Sequence, residues 1–185
     1  MSNAIMRRPY WVLALAGLLL ACPLWATAAA AKDLPLSYQD RVAIKELLYR
    51  YCYYIDNRIG DAWASTFTPD GKLEFPGTTV QGHDQLVAFG SRPVVDKLRN
   101  HFVGDILLVQ TAPGRVHERS MVITSLRDPK GDAPATFEGI GVYDDQIIKT
   151  PAGWRFLSRR AGWTMPVSPD FLPQPSQELE TSRHR

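Results

Sequence analysis

The second half of the chain contains four long runs with the composition of β-strands, joined by short turns. The runs are rich in Val, Ile, Phe, Tyr and Trp and span 101–110, 115–126, 135–149 and 154–163. Proline and glycine mark the connections, as in Ala112-Pro113-Gly114. Because a parallel connection needs a crossover of about a dozen residues or more, connections this short require antiparallel neighbours. The pattern therefore predicts an antiparallel meander.

Helical patterns come before these strands. Apolar residues spaced by three and four positions run from Val42 to Ile55, with Ser37 as the predicted N-cap, and Gly60 predicts the end of this helix. A short helix over 61–67, a turn at 68–71, a strand over 72–75 and a helical stretch over 83–98, interrupted near Pro93, are predicted to follow. Helices followed by a meander indicate the α+β class.

The sheet has one partner that can cover its apolar face, namely the N-terminal helices. Aromatic residues on a twisted, incompletely closed sheet leave a cavity beneath such helices. The predicted fold is therefore α+β, with N-terminal helices packed on a strongly curved, mostly antiparallel sheet that forms a cone with an internal pocket.

Composition agrees with one globular domain and excludes several function classes. The chain has 185 residues, 45% hydrophobic content and a formal net charge of +2. No basic run interleaved with aromatic residues lies inside the predicted domain, so a nucleic-acid partner is not expected. The four histidines lack metal-ligand spacing, so no metal site is expected either.

The first 31 residues have the organisation of a secretory signal peptide. Arg7 and Arg8 precede an apolar run, and small residues over 26–31 offer a cleavage site. The apolar run is shorter than the roughly 20 residues needed to span a bilayer, so a membrane anchor is the weaker alternative. We expect an exported, periplasmic or secreted protein without a stable membrane span in its mature form. Lipidation at Cys22 is a minority alternative.

The signal peptide would leave Cys52 as the single cysteine of the mature chain, so an intramolecular disulfide is not expected. Cys52 falls within the apolar helical pattern and is interpreted as a small buried hydrophobe. Beyond residue 165 the chain becomes rich in proline and ends in charged residues, and 166–185 is interpreted as a tail that covers the domain or is disordered.

Two residues have the types that proton transfer requires. Asp56 ends the apolar face of the first helix, where the helix dipole disfavours a negative charge. His101 begins an apolar strand, and histidine is the side chain best suited to move a proton near neutral pH. The alternatives are that Asp56 accepts bonds from Asn57, Arg58 or the backbone, and that His101 is a core histidine.

These residues belong to a wider set of motifs that resembles a known family. The set is Tyr51, Asp56, the run 61–71, Gly82, Asn100-His101-Phe102, Gly141-Val142-Tyr143-Asp144 and Gly153-Trp154-Arg155-Phe156. In order and spacing it resembles the SnoaL-like domains of the nuclear transport factor 2-like superfamily. The resemblance covers about 36–163 and implies a SnoaL-like domain over 32–165 whose cone holds a ligand.

The resemblance also implies roles for single residues. Asp56 and His101 match the Asp-His dyad of the superfamily's lyases, and Tyr51 matches a tyrosine that a bile-acid dehydratase presents to its substrate. Scytalone dehydratase has a second histidine on the following strand, where this chain has Ser120. His117 precedes Ser120 by three positions, an odd number. Because side chains alternate along a strand, we expect His117 to point to the other face.

The resulting functional hypothesis is a cofactor-independent lyase or isomerase, dehydratase-like, that acts on a small apolar or aromatic ring compound. His101, Asp56 and Tyr51 are the predicted catalytic residues. The predicted substrate-binding residues are Tyr54, Trp63, Phe75, Ser120, Tyr143 and Arg160. The alternative is an exported small-molecule-binding domain without catalysis, and the open sheet face suggests a homodimer.

Overall fold

The computed structural model describes residues 36–172, and every structural statement below refers to that part of the chain. The predicted signal peptide and the last 13 residues, 173–185, lie outside it. The helices are α1 (Tyr38–Asp56), α2 (Gly60–Ala64) and α3 (His83–Gly90). The strands are β1 (Phe67–Phe75), β2 (Thr78–Gln81), β3 (Leu98–Ala112), β4 (Arg115–Arg127), β5 (Thr136–Thr150) and β6 (Gly153–Gly162), followed by a 3₁₀ turn at Pro169–Phe171.

Helix α1 begins at the predicted cap. The Ser37 hydroxyl accepts a hydrogen bond from the backbone N–H of Asp40 at 3.1 Å and donates to the Asp40 carboxylate at 2.8 Å. The residues spaced by three and four positions along the helix are buried, among them Ile44, Leu48 and Tyr51. One face of α1 therefore packs into the domain interior, as its apolar spacing predicts.

The six strands form one sheet in the order β2-β1-β6-β5-β4-β3. All neighbouring pairs are antiparallel except β1 and β6, which run parallel. The α+β class and the antiparallel meander are thus confirmed. The parallel pair is allowed because the chain between β1 and β6 contains a helix and four other strands.

Irregularities in the ladders bend this sheet. The register shifts between Gly104 and Leu107 of β3, where Asp105 has a φ of 48°, and again between Gln146 and Ile147 of β5. Such bulges bend a strand and increase its twist. The sheet consequently curves around the helices and encloses a space between the two layers.

The two faces of the sheet differ in their surroundings. On β4, even-numbered residues such as Val116, Ser120 and Val122 point toward the helices and are buried. The core on this side contains an aromatic cluster in which the Trp63 ring lies 5.4 Å from those of Tyr51 and Phe67, measured between centroids. A fully buried side chain of this kind contributes about 1.5–3 kcal/mol.

Three local predictions were wrong. Residues 68–71, expected as a turn, lie within β1, where the six residues 67–72 are opposite only three residues of β6, 156–158. Strand β2 was not predicted because it has four residues with only Val80 buried. Helix α3 ends at Gly90 and β3 already begins at Leu98, consistent with the absence of a backbone donor at Pro93.

The chain after β6 turns back over the outer face of the sheet. Arg119 of β4 donates to the backbone oxygens of Met165 and Pro166, and the Phe171 ring lies 4.6 Å from the imidazole of His117. Residues 165–171 therefore cover part of β4. Within 36–172, no helix has the length and apolar character needed to cross a bilayer.

Candidate functional site

A pocket of about 340 Å³ lies between the helices and the concave face of the sheet. This volume falls in the range of small-molecule sites in proteins. The residues that line it come from α1, the β1–β2 hairpin, α3, the start of β3 and the inner face of β4–β6. They are Tyr51, Ile55, Asp56, Arg58, Leu73, Phe75, Pro76, Phe89, Arg92, Arg99, His101, Val122, Thr124, Gly141, Tyr143, Ala161, Gly162 and Trp163.

Asp56 and His101 meet in this pocket. One carboxylate oxygen of Asp56 lies 2.5 Å from Nδ1 of His101, and the other accepts the backbone N–H of the same histidine at 2.9 Å. The carboxylate therefore holds the imidazole by two contacts and assigns its proton to Nδ1. Within 36–172, Nε2 of His101 forms no hydrogen bond, so its lone pair is available to a bound molecule.

Two tyrosines line the pocket beside the dyad. Burial raises the pKa of Tyr51 to about 12, although the positive charge of Arg159 opposes the shift. Burial and then the adjacent Tyr51 raise the pKa of Tyr143 well above its ordinary value. Both phenols therefore keep their protons at neutral pH and can donate hydrogen bonds to an oxygen of a ligand.

A buried arginine lies beneath the tyrosines. Arg159 is fully buried, and its guanidinium binds the Asp145 carboxylate at 2.9 and 2.6 Å. The same guanidinium lies 4.0 Å from the ring centroid of Tyr51 and 3.9 Å from that of Tyr143. This ion pair was not predicted from the sequence, and it lies behind the two tyrosines that line the pocket.

Five of the nine predicted site residues lie on this one pocket: Tyr51, Asp56, Phe75, His101 and Tyr143. The other four are not among the residues that line this pocket, and their predicted substrate-binding role stays a prediction. Trp63 is fully buried inside the aromatic core, and Tyr54 is half-buried with its ring against Tyr53. Ser120 is buried among the core side chains below the pocket, on the inner face of β4.

Arg160 is the fourth of these residues. It lies on the outer face of the sheet, where it donates to Asp144 at 2.8 Å. The reason is the bulge: Gln146 pairs with Ser158 but Ile147 pairs with Phe156, so β6 has one additional residue there. The extra residue reverses the alternation, and Arg159 points inward in place of Arg160.

His117 points away from the pocket, as its odd separation from Ser120 predicts. Its ring nitrogens contact the carboxylates of Asp144 at 3.2 Å and Asp170 at 2.7 Å on the outer face. Across 36–172 there is no cluster of three or more His, Cys, Asp or Glu side chains with the geometry to hold a metal ion.

Three arginines that line the pocket were not predicted as site residues: Arg99 at the start of β3, Arg58 and Arg92. Arg58 follows the end of α1, and Arg92 follows the end of α3. Both lie in irregular segments, where no periodic pattern indicates which way a side chain points. No local sequence signal could have placed them together.

Comparison with known proteins identifies the family. The family model described as SnoaL-like domain matches residues 37–160, which is more than half of the chain. No curated protein matches the chain by sequence. The fold is similar to that of a solved structure described as NTF2-like, from Novosphingobium aromaticivorans.

Solved structures agree with this assignment. A single-substitution variant of Rv3472 from Mycobacterium tuberculosis, a protein of unknown function, is 27% identical with a TM-score of 0.62, covering 74% of this chain and 84% of that one. A protein from Novosphingobium aromaticivorans, provisionally assigned as a scytalone dehydratase, is 21% identical with a TM-score of 0.58, covering 74% and 90%. A protein from Catenulispora acidiphila in complex with S-DNPA is 18% identical with a TM-score of 0.58, covering 68% and 94%.

Proposed function

The chain belongs to the SnoaL-like domain family, and we propose that it is a cofactor-independent lyase or isomerase acting on a small apolar ring compound. The contact between Asp56 and His101 inside the pocket is the observation that supports this proposal. An imidazole with a free Nε2, oriented by a carboxylate, is the arrangement of a general base. The provisional assignment of a structural neighbour as a scytalone dehydratase agrees with a dehydratase-like reaction.

In the proposed mechanism, Nε2 of His101 removes a proton next to an activating group of the substrate. Asp56 stabilises the imidazolium that forms, since it already accepts the Nδ1–H. Tyr51 and Tyr143 donate hydrogen bonds to the substrate oxygen on which negative charge develops. The proton held by His101 then returns to the leaving hydroxyl in a dehydration, or to another carbon in an isomerisation.

Variants of the dyad test the proposal. The protein is incubated with a library of hydroxylated ring compounds, and mass spectrometry detects loss of water or an isomeric product. His101→Ala should lower turnover by about 10²–10⁴-fold while the protein stays folded, because the general base is lost. His83→Ala removes an exposed histidine outside the pocket and serves as the control. Full activity of His101→Ala would contradict the assignment.

A ligand-binding domain without catalysis is the second candidate. Its support is Ser120, which stands where the resemblance implies a second histidine and which lies in the core below the pocket. A structural neighbour in complex with a small molecule also agrees with a binding role. Retention of a library compound with no product, equally in native protein and in Asp56→Asn, would favour this candidate.

We also propose that the protein is exported and dimeric. The charged, apolar and small-residue regions of 1–31 support export. The mass of the protein recovered from a cell envelope fraction locates the cleavage site and so tests export.

The outer sheet face supports a homodimer. Phe102, Ile123 and Ile140 are directly opposite one another on β3, β4 and β5 and are 61%, 41% and 50% exposed.

A further inference from the structure

The lining of the pocket carries more positive charge than its own acidic groups neutralise. Three arginines line it, Arg58, Arg92 and Arg99. Arg99 forms a bidentate pair with Glu138, and Asp56 is held by His101. Within 36–172, neither Arg58 nor Arg92 forms an ion pair with a carboxylate. Two guanidinium groups at the pocket are therefore left without a counter-ion.

Arg58 lines the pocket with both its backbone conformation and its side-chain environment energetically unfavourable. Its φ of 59° lies in the left-handed region directly after α1, a position at which helices usually place glycine. Its Nε is buried and has no hydrogen-bond partner in the described part of the chain. Strained backbone and an unpaired buried donor are both unfavourable, and residues of this kind cluster where a ligand is bound.

Arg92 presents a second guanidinium to the same space. Its Cζ lies 3.5 Å from the ring centroid of Phe89, and its Nε donates to the Phe89 carbonyl oxygen at 3.1 Å. These contacts fix the plane of the guanidinium and leave its terminal nitrogens without a partner within 36–172. Burial and then the like charge of Arg58 lower the pKa of Arg92, which indicates that the two groups repel each other.

We infer that Arg58 and Arg92 bind an oxyanion carried by the ligand, a carboxylate or a sulfate, while its ring system occupies the apolar part of the pocket. The inference rests on the proposed function, because it assumes a ring compound in this pocket. The planar fork of arginine matches the two oxygens of a carboxylate or sulfate. The rings of Phe75, Phe89 and Trp163 line the same pocket and offer apolar contacts to the remainder of the ligand.

Isothermal titration with three matched probes tests the inference. The probes are 2-naphthoate, 2-naphthyl sulfate and the uncharged methyl 2-naphthoate. Hydrogen bonds to charged groups of this kind correspond to about a tenfold effect or more, so native protein should bind at least one anion about ten times more tightly than the ester. The anion with the higher affinity shows whether the site prefers a carboxylate or a sulfate.

Variants assign this preference to the two arginines. Arg58→Gln/Arg92→Gln should lower the affinity for the anion to that for the ester and leave ester binding unchanged. Arg115→Gln removes the same charge from an exposed position outside the pocket and should keep the preference. Arg58→Gly should weaken anion binding while raising the melting temperature, because glycine relieves the left-handed backbone. Weaker anion binding together with a higher melting temperature would exclude unfolding as the cause of the lost affinity.

The outcomes separate the inference from the proposed function. Equal affinity of native protein for the three probes, or an equal loss in Arg115→Gln, would overturn the oxyanion site and leave the ring-binding pocket intact. Loss of ester binding in the double variant would show that the arginines support the pocket itself, which also overturns the inference. Absence of binding by all three probes would contradict a ring compound as the ligand, and the inference with it.

Discussion

The fold makes Glu118 hold its proton more tightly than an exposed glutamate does. It lies on the inner face of β4, fully buried, and is opposite Asp145 of β5. Burial, and then the negative charge of Asp145, raise the pKa of Glu118 well above its ordinary value of 4.5. Arg159 carries a single positive charge, and its closest contacts are with the Asp145 carboxylate and not with Glu118. In the interior the charge of Arg159 is therefore paired with Asp145, and the raised pKa of Glu118 favours its neutral form.

Glu118→Gln should make the protein more stable at neutral pH. Above pH 4.5 the unfolded chain releases a proton that folded Glu118 keeps, so the stability of the native protein falls as pH rises toward the raised pKa. Glutamine has nearly the same shape and no proton to release. Urea unfolding at several pH values should show an advantage for the variant at pH 7 that disappears below about pH 4.5.

Glu46→Gln is the matched control, because Glu46 is exposed on α1 and pairs with Arg50 at the surface. Its effect should stay within about 0.5 kcal/mol at every pH. An equal pH dependence in Glu118→Gln and native protein would contradict a protonated Glu118.

At the level of the elements, α2 and α3 are held together by a contact between glycines. A Cβ on Gly60 would lie 2.7 Å from the Val87 carbonyl oxygen and 1.9 Å from Oγ of Ser91. A Cβ on Gly90 would lie 2.8 Å from Cε3 of Trp63. The two helices therefore pack backbone against backbone, and this contact positions Phe89 and Arg92 at the pocket.

Gly60→Ala should destabilise the protein by about 1–3 kcal/mol, the usual effect of inserting a methyl group into a closely packed site. Gly104→Ala is the control, since a Cβ at Gly104 has no atom within 4 Å. Thermal unfolding of both variants measures the difference. A melting temperature for Gly60→Ala as high as that of the control would show that the helices separate at no cost.

At the level of the whole molecule, the concave face of the sheet holds the pocket, while the outer face exposes apolar side chains. Part of the outer face is covered by 165–171 of the same chain, through Arg119 and His117. The stripe formed by Phe102, Ile123 and Ile140 is exposed in the isolated chain. A symmetric pairing of two such faces would bury this stripe and leave both pockets accessible.

Ile123→Glu should convert the proposed dimer to a monomer, because it places a charge in the centre of this stripe. Light scattering coupled to gel filtration measures the mass of each form. Val42→Glu, a similar change at an exposed apolar position of α1, should keep the dimer mass. Native protein that stays monomeric at high micromolar concentration would contradict the proposal.

The sequence by itself determined the first helix, the four long strands and the class of the fold. Periodicities of two and of three to four residues are local, and they predicted α1 and the four long strands to within a few residues. Short turns forced the antiparallel meander. The resemblance to SnoaL-like domains added the cone and named Asp56, His101 and Tyr51, which are distant in sequence and line one pocket.

Tertiary structure alone decided which side chains surround that pocket. A single extra residue in β6 selects Arg159 over Arg160 for the interior, and the alternation of the sequence does not reveal it. Arg58 and Arg92 meet because α1 and α3 end at the same opening, a contact between segments without periodicity. Local patterns indicate how apolar and polar side chains alternate within one segment. Bulges and helix ends decide which of those side chains finally face the pocket.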